Sequence, residues 1–132
     1  MLRALAHACY TVRDLDAAVG FFVEKLGMAP AFDFVNDQGQ RYGVYLHVGG
    51  RSFIELFTGN HDATQGGSYR HICLEVEDVA EAVETLRGRG VEITDAKLGL
   101  DNSWQAWITD PDGNRLELHS YTPESWQAPA LG

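Results

Sequence analysis

The stretch that decides the fold is Ala106–His119, AWITDPDGNRLELH, which is typical of a β-hairpin. An apolar, partly β-branched segment leads into the turn-forming residues Asp110–Asn114, where Pro111 suits the second position of a turn. We expect Arg115–Tyr121 to return as the second strand of the hairpin.

The return strand carries a charge in a segment that should be largely buried. Successive side chains of a strand point to opposite faces, so Leu116 and Leu118 share one face while Glu117 and His119 share the other. A glutamate is rarely buried without a partner, so the simplest explanation is a half-exposed sheet in which Glu117 faces water. The sequence leaves open whether His119 reaches the same space as Glu117 or points past it to solvent.

The same pattern occurs earlier in the chain and reveals an internal duplication. The segment Phe53–Phe57, FIELF, carries Glu55 between two apolar residues, 62 positions before Glu117. His7 and His71 open two similar segments 64 positions apart. Further identities at this second spacing are Cys9 with Cys73, Val12 with Val76, Asp14 with Asp78, Ala18 with Ala82 and Val19 with Val83. Each half of the chain therefore carries a histidine near its start and a glutamate near its end.

Periodicity and turn residues predict the same order of elements in both halves. For the first half we expect the strand Leu2–Val12, a helix Leu15–Lys25 capped by Asp14 and stopped by Gly27, and the strands Met28–Asn36, Arg41–Val48 and Ser52–Thr58. For the second half we expect the strand Tyr69–Val76, a helix Val79–Arg89 capped by Asp78 and stopped by Gly90, and strands near Val91–Ala96, Ser103–Thr109 and Arg115–Tyr121. The predicted fold class is α+β, with two βαβββ modules in tandem.

The two modules are predicted to form a single domain over residues 1–132. Module one spans 1–58, a polar and glycine-rich linker spans 59–68, module two spans 69–121 and a tail spans 122–132. The tail contains two prolines and ends in small residues, so we expect it to pack loosely or to reach a neighbouring molecule.

Composition and charge argue against several classes of function. The 132-residue chain has a formal net charge of −9 at pH 7, and phosphate repulsion therefore argues against a nucleic-acid partner. It shows no apolar run long enough to span a bilayer and no signal-peptide pattern, so we expect a cytoplasmic protein without a membrane partner. The two cysteines occupy equivalent positions of the duplication and do not indicate a disulfide framework, so we expect them to be pocket-wall or core side chains rather than nucleophiles.

The duplicated histidines and glutamates are candidate metal ligands. His7, Glu55, His71 and Glu117 offer two imidazoles and two carboxylates, a set that suits one divalent first-row ion. Two carboxylates balance the charge of such an ion, and ligands on separate strands hold its geometry better than ligands on loops. The alternative is that each histidine is a structural residue with its own hydrogen-bond partner, but four matched positions favour the metal.

These segments resemble the vicinal oxygen chelate superfamily of glyoxalases, bleomycin resistance proteins and extradiol dioxygenases, and they are most similar to glyoxalase I. The resemblance rests on HACYTVRDLDAAVGFFVEKLGM, FIELF, RHICLEVEDV and DPDGNRLELH and covers the chain from His7 to about Tyr121. It implies that the four candidate ligands hold one ion per site, nickel or cobalt in preference, with zinc or manganese as alternatives. It also implies catalytic roles for Glu117, as the main base, and for Glu55, which faces it across the metal.

The resemblance further implies a homodimer. A chain with two modules can pair them internally or across a two-fold axis. The short chain and the resemblance favour the second arrangement, in which each active site is shared between subunits and takes a small-molecule substrate.

Two positions depart from the glyoxalase I pattern. Thr11 stands where bacterial glyoxalase I carries an arginine that grips a glutathione carboxylate, and Gly59 stands where an asparagine is usual. A hydroxyl does not replace a bidentate arginine–carboxylate contact. We therefore expect a metal-dependent lyase or isomerase that moves a proton on a small oxygenated substrate with little dependence on glutathione. The predicted substrate pocket is lined by Cys9, Thr11, Phe57, Trp104 and His119.

Two other functions on the same fold stay open. An extradiol dioxygenase resembles the chain at His7, His71 and Glu117, but that family does not use the position of Glu55 as a ligand. A drug-binding protein of the bleomycin-resistance type would use an aromatic cleft instead of a metal. Candidates for such a cleft are Phe53, Phe57, Tyr69, Trp104 and Trp107.

Overall fold

The computed structural model describes residues 5, 7–60 and 71–131, which belong to two compact units, 1–65 and 66–132. Unit one contains the strands β1 (His7–Val12), β2 (Ala29–Val35), β3 (Arg41–Gly49) and β4 (Ser52–Thr58), with the helix α1 (Leu15–Val19) continuing as a π-helical segment, Gly20–Lys25. Unit two contains β5 (Ile72–Glu75), the helix α2 (Val79–Gly88), β6 (Lys97–Leu98), β7 (Trp104–Thr109) and β8 (Arg115–Ser120), followed by a short 3₁₀ turn at Ala128–Ala130. The α+β class and the tandem βαβββ order are confirmed.

In unit one, the first and last strands of the module lie side by side. The strand order is β1-β4-β3-β2, with β1 parallel to β4 and the remaining pairs antiparallel. One face of this sheet is buried beneath the helical segment, where the rings of Tyr10 and Phe22 lie 6.2 Å apart between centroids. The apolar side chains of this face are Val12, Val44, Leu46, Ile54 and Leu56. Because strand side chains alternate, the residues between them belong to the opposite face.

Unit two repeats this arrangement with the order β5-β8-β7-β6, and β5 is parallel to β8. The helix α2 buries Val79 and Val83 against Ala106 of β7, while Leu116 and Leu118 of β8 are buried on the same side of the sheet. The alternation predicted for β8 is therefore confirmed, and Glu117 and His119 share the face away from the helix.

The predicted helix ends are confirmed at both equivalent positions. Asp14 Oδ1 accepts a hydrogen bond from the Ala17 amide at 3.0 Å, and Asp78 Oδ1 accepts one from the Glu81 amide at 3.1 Å. Each helical segment is followed by a glycine with positive φ, +81° in one unit and +80° in the other, at positions 27 and 90.

The prediction of a strand near Val91–Ala96 is wrong, because only a few hydrogen bonds join this segment to β7. The Thr94 amide donates to the Trp107 carbonyl at 3.1 Å, and Thr94 Oγ1 accepts from the Trp107 amide at 2.9 Å. Arg87 Nη2 donates to the Ile93 carbonyl at 3.1 Å, which ties this segment to the end of α2 instead. Regular pairing is confined to the two residues of β6.

The expectation of a loosely packed tail is also wrong. Ser125 is buried, and its Oγ lies 2.7 Å from Ser103 Oγ. The Trp126 amide donates to the Asp101 carbonyl at 2.9 Å, and Gln127 Nε2 donates to Asp101 Oδ2 at 2.6 Å. The tail therefore packs on the loop that precedes β7.

Parts of two predicted strands and most of the predicted linker lie outside the described residues, at positions 1–4, 6 and 61–70. This part of the chain includes Tyr69, one of the aromatic candidates. None of the helices found at 7–60 and 71–131 combines the length and the apolar character that a membrane crossing requires.

Candidate metal centre

In unit one, the parallel pairing of β1 with β4 brings the first histidine and the first glutamate together. The register places Cys9 beside Glu55 and His7 beside Phe53, so all of them lie on the face away from the helix. His7 Nε2 lies 4.0 Å from Glu55 Oε1. The His7 side chain is 41% exposed and that of Glu55 is 18% exposed, so the pair is accessible from this face.

Tyr45 orients the ring of His7. Its hydroxyl lies 3.1 Å from His7 Nδ1, and the two rings meet edge to face with centroids 5.7 Å apart. When Nδ1–H donates to the Tyr45 oxygen, the lone pair of Nε2 is left free on the side of Glu55. A hydrogen bond to the far nitrogen is the usual way in which proteins orient a metal-binding histidine.

In unit two, the equivalent pair is closer. The register of β5 and β8 places Cys73 beside Glu117, and His71 Nε2 lies 3.2 Å from Glu117 Oε2. The Glu117 side chain is only 12% exposed. The rings of His71 and Trp107 meet edge to face, with centroids 4.8 Å apart.

His119 lies against the other oxygen of Glu117, which answers the question that the sequence left open. Its Nδ1 is 3.4 Å from Glu117 Oε1, and the residue is buried. Its buried Nε2 has no hydrogen-bond partner among the described residues, although Asp101 Oδ2 lies 3.8 Å away. The hydrogen bond from Gln127 lowers the pKa of Asp101, so a carboxylate faces this nitrogen at neutral pH.

Both cysteines are poor nucleophiles at neutral pH. Burial, and then contact with Glu55, raises the pKa of Cys9. Burial and the negative charge of Glu117 raise the pKa of Cys73 to about 12. A thiol rather than a thiolate therefore lies beside each glutamate.

The two histidine–glutamate pairs fit the demands of a divalent ion. Ligand atoms that each lie about 2.0–2.2 Å from one ion are separated by no more than about 4.4 Å. The nitrogen–oxygen separations of 4.0 Å and 3.2 Å both meet this limit. Each pair also supplies one neutral donor and one negative donor, which is the chemistry expected for such an ion.

The predicted pocket residues lie on three different sheet faces, one in unit one and two in unit two. Cys9, Thr11 and Phe57 share the face of Glu55, and His119 shares that of Glu117. Trp104 pairs with Ser120 and so lies on the helix side of its sheet, away from Glu117. There it lines an open depression of about 410 Å³ together with residues of the α2 start and of the tail.

Thr11 and Gly59, the two positions that depart from the glyoxalase I pattern, lie against each other. A Cβ added to Gly59 would lie 2.7 Å from Thr11 Cγ2. The Gly59 amide also donates to the Val12 carbonyl at 2.9 Å, which fixes its backbone against β1. The methyl group of Thr11 therefore occupies the space that a side chain at position 59 would need.

Sequence reasoning missed Tyr45, Asp101 and Gln127. For Tyr45 a signal existed, because a tight turn at Gly49–Gly50 places it opposite Glu55 in the β3–β4 register. For Asp101 and Gln127 no local pattern pointed to His119, since their contact depends on where the tail folds back.

Comparison with known proteins identifies the family. The model of the Glyoxalase/Bleomycin resistance protein/Dioxygenase superfamily matches residues 4–118. The chain belongs to this superfamily. A lactoylglutathione lyase of Salmonella typhimurium is 30% identical over 121 residues, which cover 86% of this chain and 90% of that protein. The chain spans only 46% of the length of two plant relatives, a putative lactoylglutathione lyase of Brassica oleracea and a lactoylglutathione lyase of Arabidopsis thaliana.

Solved structures of other proteins share the fold. A superfamily member from Sphaerobacter thermophilus superposes with a TM-score of 0.71 at 26% identity, covering 91% of this chain and 98% of that chain. An antibiotic binding protein from Streptomyces superposes with a TM-score of 0.74 at 24% identity, covering 92% of this chain and 98% of that one. The second likeness shows the shared fold and carries no statement of function for this chain.

Proposed function

We propose that the protein is a metal-dependent lyase or isomerase of the glyoxalase I type, which moves a proton on a small oxygenated substrate. The observation that carries the proposal is the repeated histidine–glutamate pair on equivalent parallel strands of the two units. The lactoylglutathione lyases among the relatives support a reaction of this class.

The proposed ligands of the ion are His7, Glu55, His71 and Glu117. Superfamily members typically bind a divalent metal, and the proposed ion here is nickel or cobalt. When bound, the ion supplies a Lewis acid that stabilises negative charge developing on a substrate oxygen.

Glu117 is the proposed proton carrier. It is shielded from water more than Glu55 is, and each of its oxygens faces one imidazole, His71 on Oε2 and His119 on Oε1. Two flanking imidazoles hold the carboxylate in one orientation, which favours proton transfer at a fixed position. Glu55 is the second candidate for this role.

The proposed substrate is not the hemithioacetal of glutathione. Thr11 offers no cation for a glutathione carboxylate, and its methyl group leaves little space for a side chain at position 59. We therefore infer a smaller, less anionic substrate than that of a glutathione-dependent enzyme. We further propose a cytoplasmic homodimer, in which a second subunit supplies part of each active site.

The metal assignment is tested by replacing His71 with alanine. The apoprotein is loaded with nickel or cobalt and dialysed, and bound metal is measured by atomic emission. His71→Ala should lower the bound metal, whereas His47→Ala should not, because His47 hydrogen bonds to the Gly50 carbonyl in the loop. Unchanged metal content in His71→Ala would refute the assignment.

The proton-transfer role is tested with Glu117→Gln, which keeps the shape of the side chain and removes the base. On any substrate found by screening, its kcat should fall by about 10²-fold or more while the circular dichroism spectrum is unchanged. Glu92→Gln, at an exposed glutamate outside the strands, is the matched control. Full activity of Glu117→Gln would end this part of the proposal. Oxygen uptake with catechols would indicate the dioxygenase alternative.

A second candidate function is the sequestration of an aromatic small molecule. One observation favours it: the face of unit one that carries Glu55 also carries a group of contacting rings. Phe32 stacks on Tyr45 with centroids 4.8 Å apart, and Phe34 contacts Phe57 at 4.8 Å. Tight binding of a planar aromatic compound by metal-free protein, with no turnover after metal is added, would favour this candidate over the enzyme.

A further inference from the structure

In unit two, a thiol joins Glu117 and His119 on the open face of the sheet. One ligand atom from each of Cys73, Glu117 and His119 lies within 4.8 Å of the other two. The β5–β8 register places Cys73 directly beside Glu117, and His119 Nδ1 faces Glu117 Oε1. Sulfur, nitrogen and oxygen donors of these three types are the ligands that proteins use for zinc.

Within residues 7–60 of unit one no equivalent group of three donors is found, although the duplication repeats two of its members. Cys9 lies beside Glu55 as Cys73 lies beside Glu117. Two residues after Glu55, however, stands Phe57, where unit two has His119. At this position of the duplication, the third donor is therefore present in unit two and replaced by phenylalanine in unit one, which provides an internal control.

His119 already has the surroundings of a metal-binding histidine. Its Nε2 is buried and lacks a hydrogen-bond partner among the described residues, and it faces Asp101 Oδ2 at 3.8 Å. That carboxylate is held in place by Gln127 Nε2 at 2.6 Å and by the Ser103 amide at 3.1 Å. A histidine that binds metal through one nitrogen usually gives the other N–H to a carboxylate, and Asp101, just beyond hydrogen-bond distance, is the carboxylate available for this role.

The charge around the thiol also favours a cation. Glu117 stands beside Cys73 in the β5–β8 register, and the Asp101 carboxylate lies 3.8 Å from the Nε2 atom of the neighbouring His119. A divalent ion would offset this excess, and binding would replace the S–H bond with a sulfur–metal bond and release the proton to solvent.

We propose that Cys73, Glu117 and His119 form a zinc site within unit two. A thiolate ligand favours zinc over the harder divalent ions, and three protein ligands leave a position open to water or a small molecule. The site shares only Glu117 with the four ligands proposed for the lyase and does not depend on that activity.

Cobalt absorption tests the site through its sulfur ligand. Chelator-treated protein is titrated with Co²⁺, and a bound thiolate gives a sulfur-to-cobalt charge-transfer band in the near ultraviolet. The band should be present in the wild type, in Cys9→Ser and in His7→Ala, and absent in Cys73→Ser and His119→Phe. His119→Phe copies the residue that unit one carries at the equivalent position. A band that is missing from the wild type, that survives in Cys73→Ser or that disappears in His7→Ala would overturn the proposal.

Alkylation of the wild type tests the site without relying on a variant that folds. Zn²⁺ should slow the modification of Cys73 by iodoacetamide, read by mass spectrometry, and leave the rate at Cys9 unchanged. Asp101→Asn should weaken zinc binding by about 10–100-fold, because the second carboxylate no longer supports His119. Equal protection of both cysteines, or an Asp101→Asn affinity equal to that of the wild type, would count against the site.

Discussion

Replacing Asp110 by alanine should loosen the hairpin that carries the site in unit two. Asp110 is 4% exposed, and its carboxylate closes the loop between β7 and β8. Its Oδ1 accepts from the amides of Asp112 at 2.9 Å and Asn114 at 2.8 Å, and its Oδ2 accepts from Asn114 Nδ2 at 3.0 Å. Asp110→Ala removes all three acceptor contacts and leaves two backbone N–H groups without this partner.

The size of the effect follows from these contacts. Hydrogen bonds to a charged group contribute about 1.5–3 kcal/mol each to the free energy of unfolding. Burial raises the pKa of Asp110, which shows that desolvation of the carboxylate offsets part of this gain. We therefore expect the free energy of unfolding to fall by roughly 2 kcal/mol rather than by the sum of three bonds.

The measurement is urea unfolding followed by tryptophan fluorescence, since Trp104 and Trp107 lie on β7. Asn36→Ala is the matched control, because Asn36 Oδ1 accepts from the amides of Gln38 at 3.0 Å and Gln40 at 2.9 Å in a loop of the same form. That loop is more exposed, so water replaces the lost acceptor and the cost should stay below about 1 kcal/mol. An equal loss of stability in the two variants would refute the argument from burial.

Three further predictions concern the same features. Gly59→Ala should destabilise the protein, because the added Cβ meets Thr11 Cγ2, and Thr11→Ser should relieve part of that cost. A double-mutant cycle of urea unfolding should give a coupling energy of about 0.5–3 kcal/mol between the two positions. Strictly additive effects of the two substitutions would contradict the contact. The pKa of Asp110 is raised above 3.8 in the folded state, so the folded protein holds this proton more tightly than the unfolded chain does. The free energy of unfolding of the wild type, compared with that of Asp110→Asn, should therefore fall as pH rises from 3.8 through the raised pKa. A difference between the two proteins that does not change with pH would contradict this prediction. With the hemithioacetal of methylglyoxal and glutathione as substrate, the metal-loaded protein should form thioester weakly at best. A kcat/KM of about 10⁶ M⁻¹s⁻¹ would show that the replacement of the glyoxalase I arginine by Thr11 is unimportant.

The elements that follow from local chemistry were predictable from the sequence. The alternation of side chains along β8 placed Glu117 on the opposite face of the sheet from Leu116 and Leu118. The capping aspartates marked where both helices begin. The duplication then paired each histidine with a glutamate, because equivalent halves fold alike.

The features that depend on distant segments were not predictable. The position of His119 against Glu117 is supported by Asp101, which in turn is held by Gln127 of the tail. No periodicity shows that the tail returns to this loop, since its contacts are single hydrogen bonds rather than a repeating apolar pattern. Single hydrogen bonds also explain why the strand predicted near Val91–Ala96 does not form. There the amide and the hydroxyl of Thr94 pair with Trp107 in place of a regular ladder of backbone hydrogen bonds.

The parallel pairing of β1 with β4, and of β5 with β8, has a consequence for how the protein is made. In each unit the histidine comes with the first strand and the glutamate with the last, so neither pair exists until the whole module has been synthesised and its ends have met. Closing such a long loop costs chain entropy that only the completed sheet repays. An ion that binds across one of these histidine–glutamate pairs would stabilise the closed module by mass action. A chain that stops short of β4 or β8 lacks both the glutamate of the pair and the stability that binding would add.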